Sequence, residues 1–517
     1  MKQKLLFVLL ISAIVALPLL ACALFGPPKL LVKPEVASHF DELLAQWTRD
    51  GTFTGSVLIA QDGVVYLSEA YGLADREQGI PNTPQTRFHL ASMSKQFTAM
   101  AILILQSQGK LNVQDPICDY IANCPAAWQD ITIHQLLTHT SGLSPRLDTI
   151  MDKLATDPAT PPDPAYFFEI TGEEPLETRP GEQYAYSNFG YVLLAHIIEK
   201  ASRQSYADFL EENIFTPLNM RDTGYEDTSS GVAAGYTYVY ATKAAEYVLL
   251  PISDGSDTLY STTEDLYLWD QALYSDQILP QDELEPMFTR YVPETDYPPF
   301  GYGYGWLVTK ILGQPLVGGA GYGGGGGFAT FYLRYPADGL TLIVLVNQGD
   351  IDQFSMLFAI AGALFLSDLV FLLTAILFMP LLAVLLAAQK NQRVKTTGGW
   401  VHPAVIGILW LLLAVLFAIV FFRYLAEGRG AWTLLPLSLV LLYMLAKALL
   451  DFVFRIDLRR NRTARLATLT LMCLALFSLI WIAFSIHPSW GTPVLIAFGI
   501  LGMSLIFLYR NEIRVRQ

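Results

Sequence analysis

Charge is scarce in this chain. Only 15 % of its 517 residues are Asp, Glu, Lys or Arg, against 52 % hydrophobic residues. An ordinary soluble protein is about one quarter charged, so an all-soluble chain is excluded. Histidine is scarcer still, with seven scattered residues and no His-Glu-x-x-His run, which argues against a catalytic metal. The four cysteines, Cys22, Cys118, Cys124 and Cys473, include no Cys-x-x-Cys pair and no zinc-ligand spacing. The absence of a Gly-x-Ser-x-Gly elbow argues against the α/β-hydrolase arrangement. The glycine run 318–327 lacks a Gly-Lys-Ser/Thr ending and opens no helix, which argues against a phosphate loop. No cofactor or metal is implied.

The charge that is present is unevenly placed. Residues 356–517 hold 14 basic and 5 acidic residues, a net of +9, and residues 1–355 hold 19 basic and 42 acidic, a net of −23. So acidic a domain repels phosphate backbones, and nucleic acid is not an expected partner. Apolar runs at about 369–388, 403–422, 432–453, 466–486 and 492–509 are each long enough to cross a bilayer. The connecting segments 389–402 and 455–465 and the tail hold 11 Lys and Arg together, against 2 in segments 423–431 and 487–491. The positive-inside rule puts the first three in the cytoplasm and residues 35–355 outside. Lys447 and Asp451, four apart in the third run, read as a local ion pair near its cytoplasmic end, with a proton or substrate path as the alternative.

Residues 1–22 agree independently. Lys2 and Lys4 precede an apolar stretch and small residues, the pattern of an export signal. Leu19-Leu20-Ala21-Cys22 resembles a lipoprotein processing site, with ordinary cleavage or an uncleaved anchor as the alternatives. Three regions follow: a signal over 1–22, a globular domain over 35–355 and a membrane domain of about five helices over 366–517. An oxidising compartment favours a bridge between Cys118 and Cys124.

Within 35–355, Gly55–Ile59 and Val64–Ser68 are strand-like and joined by Gln61-Asp62-Gly63, a hairpin signal. Residues 93–108 read as a helix stopping at Gly109. Residues 112–180 are loop-rich with helical patches. Strand-like runs return at Tyr302–Thr309, Phe328–Tyr335 and Leu340–Val346. Strands at both ends with helices between predict an α/β (α+β) domain whose antiparallel sheet is built from both ends of the segment.

Ser92-Met93-Ser94-Lys95 opens the helical run. A serine hydroxyl is a weak nucleophile until a base takes its proton. Residues i and i+3 share a helix face, so Lys95 reaches Ser92. A lysine serves as base when neutral, a form favoured by burial and by a positive helix end. Tyr186-Ser187-Asn188 supplies a phenol for proton relay and an amide for orientation, or else a turn in which Ser187 or Asn188 caps the helix that follows. Gly318–Phe328 lets a backbone approach a ligand closely.

These blocks occur in order with Phe88–Thr98, Gly109-Lys110-Leu111, Asp115-Pro116, Leu136–Leu143 (LLTHTSGL) and Gly301–Trp306. Together, over about 38–352, they resemble the serine beta-lactamase-related family of class C beta-lactamases, D-Ala-D-Ala carboxypeptidases, D-aminopeptidases and esterases. The resemblance implies an antiparallel sheet flanked by helices with a helical subdomain, and Ser92 as acylated nucleophile. It implies that Lys95 and Tyr186 share acid–base work, that Asn188 orients Lys95 and the substrate, and that the Ser92 and Gly324 amides form an oxyanion hole. His139 of the HTSGL block is then structural. The family's third motif, Lys-Thr-Gly or His-Thr-Gly, falls on Gly321-Tyr322-Gly323, so the substrate-binding cation is missing. An ester, amide or lipid-linked substrate from the cell envelope is expected before a free carboxylate. The alternative is a catalytically weak receptor domain that binds a ligand on a membrane anchor.

Overall fold

The computed structural model describes residues 32 and 34–349, apart from 158–162, 226–230, 238–249, 251, 294, 296–299, 312–313 and 324–326, together with Val440. The chain divides into two units, one of 1–39 with 359–517 and one of 40–358. The signal segment 1–22, the five apolar runs and Gly324 lie outside the described residues, Val440 excepted. Among the described residues no helix is long and apolar enough to cross a membrane.

A helix α1 (Pro34–Arg49) leads into the second unit. Strand β1 (Gly55–Gln61) is buried at every position, as befits a short apolar run inside a sheet. It turns through Asp62 and Gly63, both at positive φ (50° and 81°), the turn that matches strand twist in a tight hairpin. Strand β2 (Val64–Tyr71) follows and forms the sheet edge. After the small pieces β3 (Leu73–Asp75), β4 (Ile80–Pro81) and β5 (Phe88–His89) the chain becomes helical.

The helical part runs α2 (Lys95–Ser107), α3 (Ile133–Leu137), α4 (Arg146–Thr156), α5 (Pro164–Thr171), α6 (Asn188–Ser202), α7 (Tyr206–Leu210) and α8 (Thr216–Leu218). Two short strands, β6 (Gly224–Tyr225) and β7 (Leu259–Ser261), join β5 in a small sheet of order β5-β7-β6. Helices α9 (Thr263–Ala272) and α10 (Gln281–Phe288) precede β8 (Gly301–Tyr302), β9 (Leu307–Ile311), β10 (Gln314–Gly323), β11 (Phe328–Tyr335) and β12 (Leu340–Val346). The main sheet has the order β2-β1-β12-β11-β10-β9-β8 and is antiparallel throughout. Pairing of β1 with β12, from Gly55 with Val346 to Gln61 with Leu340, joins the two ends of the domain.

Helix α2 is buried from Lys95 to Leu105, as an all-round apolar helix must be. It ends before Gly109, at φ 68°. Trp269 of α9 packs on Phe97 of α2, and Arg334 of β11 lies 3.0 Å from the Asp270 carboxylate of α9. Tyr332 and Thr341 donate to the same carboxylate at 2.5 and 2.7 Å, so the acidic member of this buried pair is hydrogen-bonded on both oxygens. Cys118 and Cys124 are disulfide-bonded.

Two expectations needed correction. The run Tyr302–Thr309 is not one strand, because Gly303 donates to the carbonyl of Trp306 and Gly305 turns at φ 75°. A Cβ on Gly305 would lie 2.7 Å from the carbonyl oxygen of Lys95. The backbone breaks there to let α2 pass. The helix expected over 93–108 starts as a 3₁₀ turn, Ala91–Ser94, before the α-helical register.

Candidate active site

The 3₁₀ turn sets the geometry. Side chains three apart eclipse in a 3₁₀ helix, which lays Lys95 over Ser92 with Nζ 3.0 Å from Oγ. Ala91, just before Ser92, has φ 47°, a left-handed conformation that costs a non-glycine residue about 1–3 kcal/mol. Its neighbours hold it there. Leu90 N donates to the carbonyl of Leu259, and Leu259 N donates to Ser94 Oγ. Thr330 Oγ1, from β11, donates to the carbonyl of Leu90 at 2.9 Å.

Lys95 is buried, and its three donors are matched by three acceptors. They are Ser92 Oγ at 3.0 Å, Asn188 Oδ1 at 2.8 Å and the carbonyl of Ser256 at 3.0 Å. Tyr186 donates to Ser92 Oγ at 2.8 Å, and Lys95 Nζ lies 4.9 Å from the centre of its ring. Ser92 thus touches two groups that carry or accept a proton, both within the 2.6–3.2 Å or so that proton transfer requires. The structure brings together Ser92, Lys95, Tyr186 and Asn188, the four residues expected from sequence to be catalytic. Ser187 caps α6 by accepting from Gly190 N at 3.1 Å.

His139 is not in this line of contacts. Its ring packs at a tilt against Tyr186, with centres 4.3 Å apart, and its Nδ1 accepts from Ser187 N at 3.2 Å. Burial, reinforced by the Lys95 charge, pushes its pKa well below the ordinary imidazole value, so it is held neutral as a support for the Tyr186 loop.

Gly321 stands against the turn that carries Ser92. A Cβ there would lie 2.1 Å from the carbonyl oxygen of Leu90 and 2.5 Å from Thr330 Oγ1. The missing cation is therefore a matter of space as well as of residue type. Tyr322 is 57 % exposed, and Gly323 ends β10. Gly324 lies outside the described residues, so only the Ser92 half of the expected oxyanion hole belongs to the described site. Among the described residues no group of three or more His, Cys, Asp or Glu could hold a metal ion.

Four contributors have no counterpart among the residues picked from sequence. Thr330 braces the turn that carries Ser92. Ser256 offers only a carbonyl, which every residue type carries. Asp254 accepts from Ser256 N at 2.7 Å and fixes that carbonyl, a turn that the run Asp254-Gly255-Ser256-Asp257 does signal. Asp148, from α4, accepts from Asn188 N and Phe189 N.

Residues 36–362 match the Beta-lactamase family. The chain belongs to that family. It is 31 % identical over 348 residues to penicillin-binding protein 4* of Bacillus subtilis (strain 168), covering 61 % of this chain and 73 % of that protein. A solved penicillin-binding protein from Bacillus halodurans superposes with a TM-score of 0.54 at 26 % identity, over 62 % of this chain and 98 % of that one. The D-amino acid amidase of Ochrobactrum anthropi SV3, complexed with L-phenylalanine amide, shares the fold with a TM-score of 0.52 at 22 % identity, over 64 % of this chain and 97 % of that one. The Beta-lactamase family is one of serine hydrolases, and the Ser92 site has the residue types such a hydrolase needs.

Proposed function

We propose that this chain is a membrane-anchored serine hydrolase that forms an acyl-enzyme at Ser92, with its catalytic domain outside the cytoplasm. The observation that carries the reading is the Ser92 hydroxyl held at 3.0 Å by Lys95 and at 2.8 Å by Tyr186. When either of those two groups gives up its proton, it becomes the acceptor for the Ser92 proton. Ser92 Oγ then bonds to the substrate carbonyl carbon, and the carbonyl electrons move to oxygen beside the Ser92 amide, with Gly324 as the second donor. The tetrahedral centre collapses, the leaving group takes the proton from the Lys95–Tyr186 pair, and the ester with Ser92 remains. Water, deprotonated by the same pair, releases the acid and restores the hydroxyl.

The substrate class is an ester, an amide or a D-amino-acid peptide of the envelope. Space at Gly321 supports an ester or amide before a free carboxylate, because a cation there would collide with the carbonyl of Leu90. The bilayer is the second partner, through the apolar runs of 369–509, whose flanking Lys and Arg support a cytoplasmic C-terminus.

Membranes bearing the wild type and Ser92→Ala, treated with a fluorescent fluorophosphonate and separately with a fluorescent penicillin, test the activity. Fluorophosphonate labelling lost in the variant is expected, with weak or no penicillin labelling. Folded, exported protein without Ser92-dependent label would move the weight to a ligand-binding receptor. A reporter after Gln517 is expected in the cytoplasm and one within 487–491 outside, and the reverse pattern would sink the five-span topology.

A further inference from the structure

We propose that Asp148 is a positioning residue of the acyl-transfer site, acting through the first turn of α6. The inference rests on the Ser92 reading above. The first N–H groups of a helix have no partner inside it. In α6 three of them are taken up: Gly190 N by Ser187 Oγ at 3.1 Å, and Asn188 N and Phe189 N by the two oxygens of Asp148 at 3.3 and 3.1 Å. The usual cap comes from the residue just before the helix, and Ser187 already fills that role. The second acceptor comes from a separate helix, α4, 40 residues earlier than Asn188.

The environment of that carboxylate is the site itself. Burial raises its pKa, while the N–H groups of Phe189 and Asn188 and the charge of Lys95 pull it down, and Asp152, one turn along α4, raises it. Asp148 therefore lies within the field of Lys95. It holds the backbone of the residue whose side chain holds Lys95. Carboxylate, Asn188 backbone, Asn188 amide, Lys95 ammonium and Ser92 hydroxyl form one continuous line of contacts. If the first turn of α6 slides or rotates, Asn188 Oδ1 leaves Lys95, and Lys95 loses the acceptor that aims it at Ser92. A misplacement of about 1 Å in such a constellation costs on the order of 10²-fold in rate.

The test follows labelling of Ser92 in the full chain by a fluorophosphonate at increasing probe concentration, normalised to folded protein. Asp148→Ala is expected to lower the saturating rate constant by about 10–100-fold, with the half-saturating probe concentration nearly unchanged. Asp148→Asn keeps one acceptor oxygen and restores part of the loss. In an Asn188→Ala background the same Asp148→Ala change is expected to add less than about twofold, because both act on one line of contacts. Folded Asp148→Ala labelling at the wild-type rate would overturn the proposal, as would an undiminished effect in the Asn188→Ala background. If Asp148→Ala does not fold, a wild-type rate in folded Asp148→Asn overturns it equally. An absence of Ser92-dependent label in the wild type sinks the hydrolase reading and the inference with it. A labelled wild type with an indifferent Asp148 sinks the inference alone.

Discussion

Gly321→Ala adds one methyl group at the point where β10 meets the nucleophile turn. The new Cβ would lie 2.1 Å from the carbonyl oxygen of Leu90, 2.5 Å from Thr330 Oγ1 and 3.1 Å from Ala91 Cβ. Two of these three contacts are backbone or a short buried side chain that itself holds Leu90, so no flexible group can swing away. The strand and the turn must separate by more than about 1 Å to reach ordinary contact. Overpacking of this kind costs about 1–3 kcal/mol in a close-packed interior. The displaced turn carries Ala91 and Ser92, so the loss in Ser92 labelling by a fluorophosphonate is expected to reach about 10²-fold. Gly319→Ala is the control. It lies two residues earlier on the same strand face, where the nearest contacts of a Cβ are 3.5 Å, to Gln96 Nε2 and Met93 Cγ.

Measured side by side, Gly321→Ala should lose melting temperature and labelling rate while Gly319→Ala keeps both. Gly321→Lys, which restores the cation of the family's third motif, should behave as Gly321→Ala does and gain no penicillin labelling. Wild-type labelling and melting temperature in Gly321→Ala would refute the reasoning. So would a Gly321→Lys protein that is stable and reacts with penicillin, since the position would then be a vacant subsite.

Tyr186→Phe removes the 2.8 Å bond to Ser92 Oγ and one of two proton carriers. Its labelling rate constant should fall about 10²–10⁴-fold, with little change in melting temperature. Cys118→Ser opens a bridge with a sequence separation of six, and urea unfolding should show a loss of about 2 kcal/mol, reproduced by a reductant in the wild type. Burial lowers the pKa of His89 from 6.5 to about 4, so as pH falls below 6.5 the unfolded chain binds that proton first. The stability this histidine contributes is complete above pH 6.5 and declines by about 3 kcal/mol as pH drops to 4. Burial lowers the pKa of His134, His139 and His196 as well, so urea midpoints at pH 7 and pH 4.5 should differ by at least that much, and His89→Asn should make the slope shallower by the His89 share alone.

The parts of the site legible in sequence are those where chemistry dictates residue type. A nucleophile needs a hydroxyl, its base needs an amine or a phenol, and Ser92, Lys95 and Tyr186 stand at recognisable spacings. The apolar runs of β1, β11 and β12 were equally plain, since a strand covered on both faces admits few polar residues. Asp148 was hidden because an aspartate inside a helical patch looks the same whether it faces solvent or caps another helix. Ser256 was hidden because its contribution is a carbonyl. Gly321 was legible as a departure from a motif, but its cause was not, because a steric limit set by Leu90 and Thr330 exists only after β10 and the nucleophile turn pack together.

The site is therefore a property of the closed domain. Lys95 is fully buried and keeps its place through acceptors drawn from segments 92, 188 and 256, while the turn before it is braced from residue 330. Asn188 and Tyr186 come from the helical insertion, and Thr330 comes from the sheet that joins the two ends of the unit. No subset of these segments leaves the lysine satisfied, and a buried ammonium without its acceptors carries a desolvation cost of several kcal/mol. Local opening of either the insertion or the β10–β11 pair must then expose Lys95 to water and abolish its alignment with Ser92 together. Labelling of Ser92 during urea titration should consequently fall at or before the global unfolding transition and never persist beyond it. A reactive Ser92 surviving loss of the β1–β12 pairing would mean that the turn 91–95 holds its own geometry, which the strained φ of Ala91 and its reliance on Leu259 and Thr330 oppose.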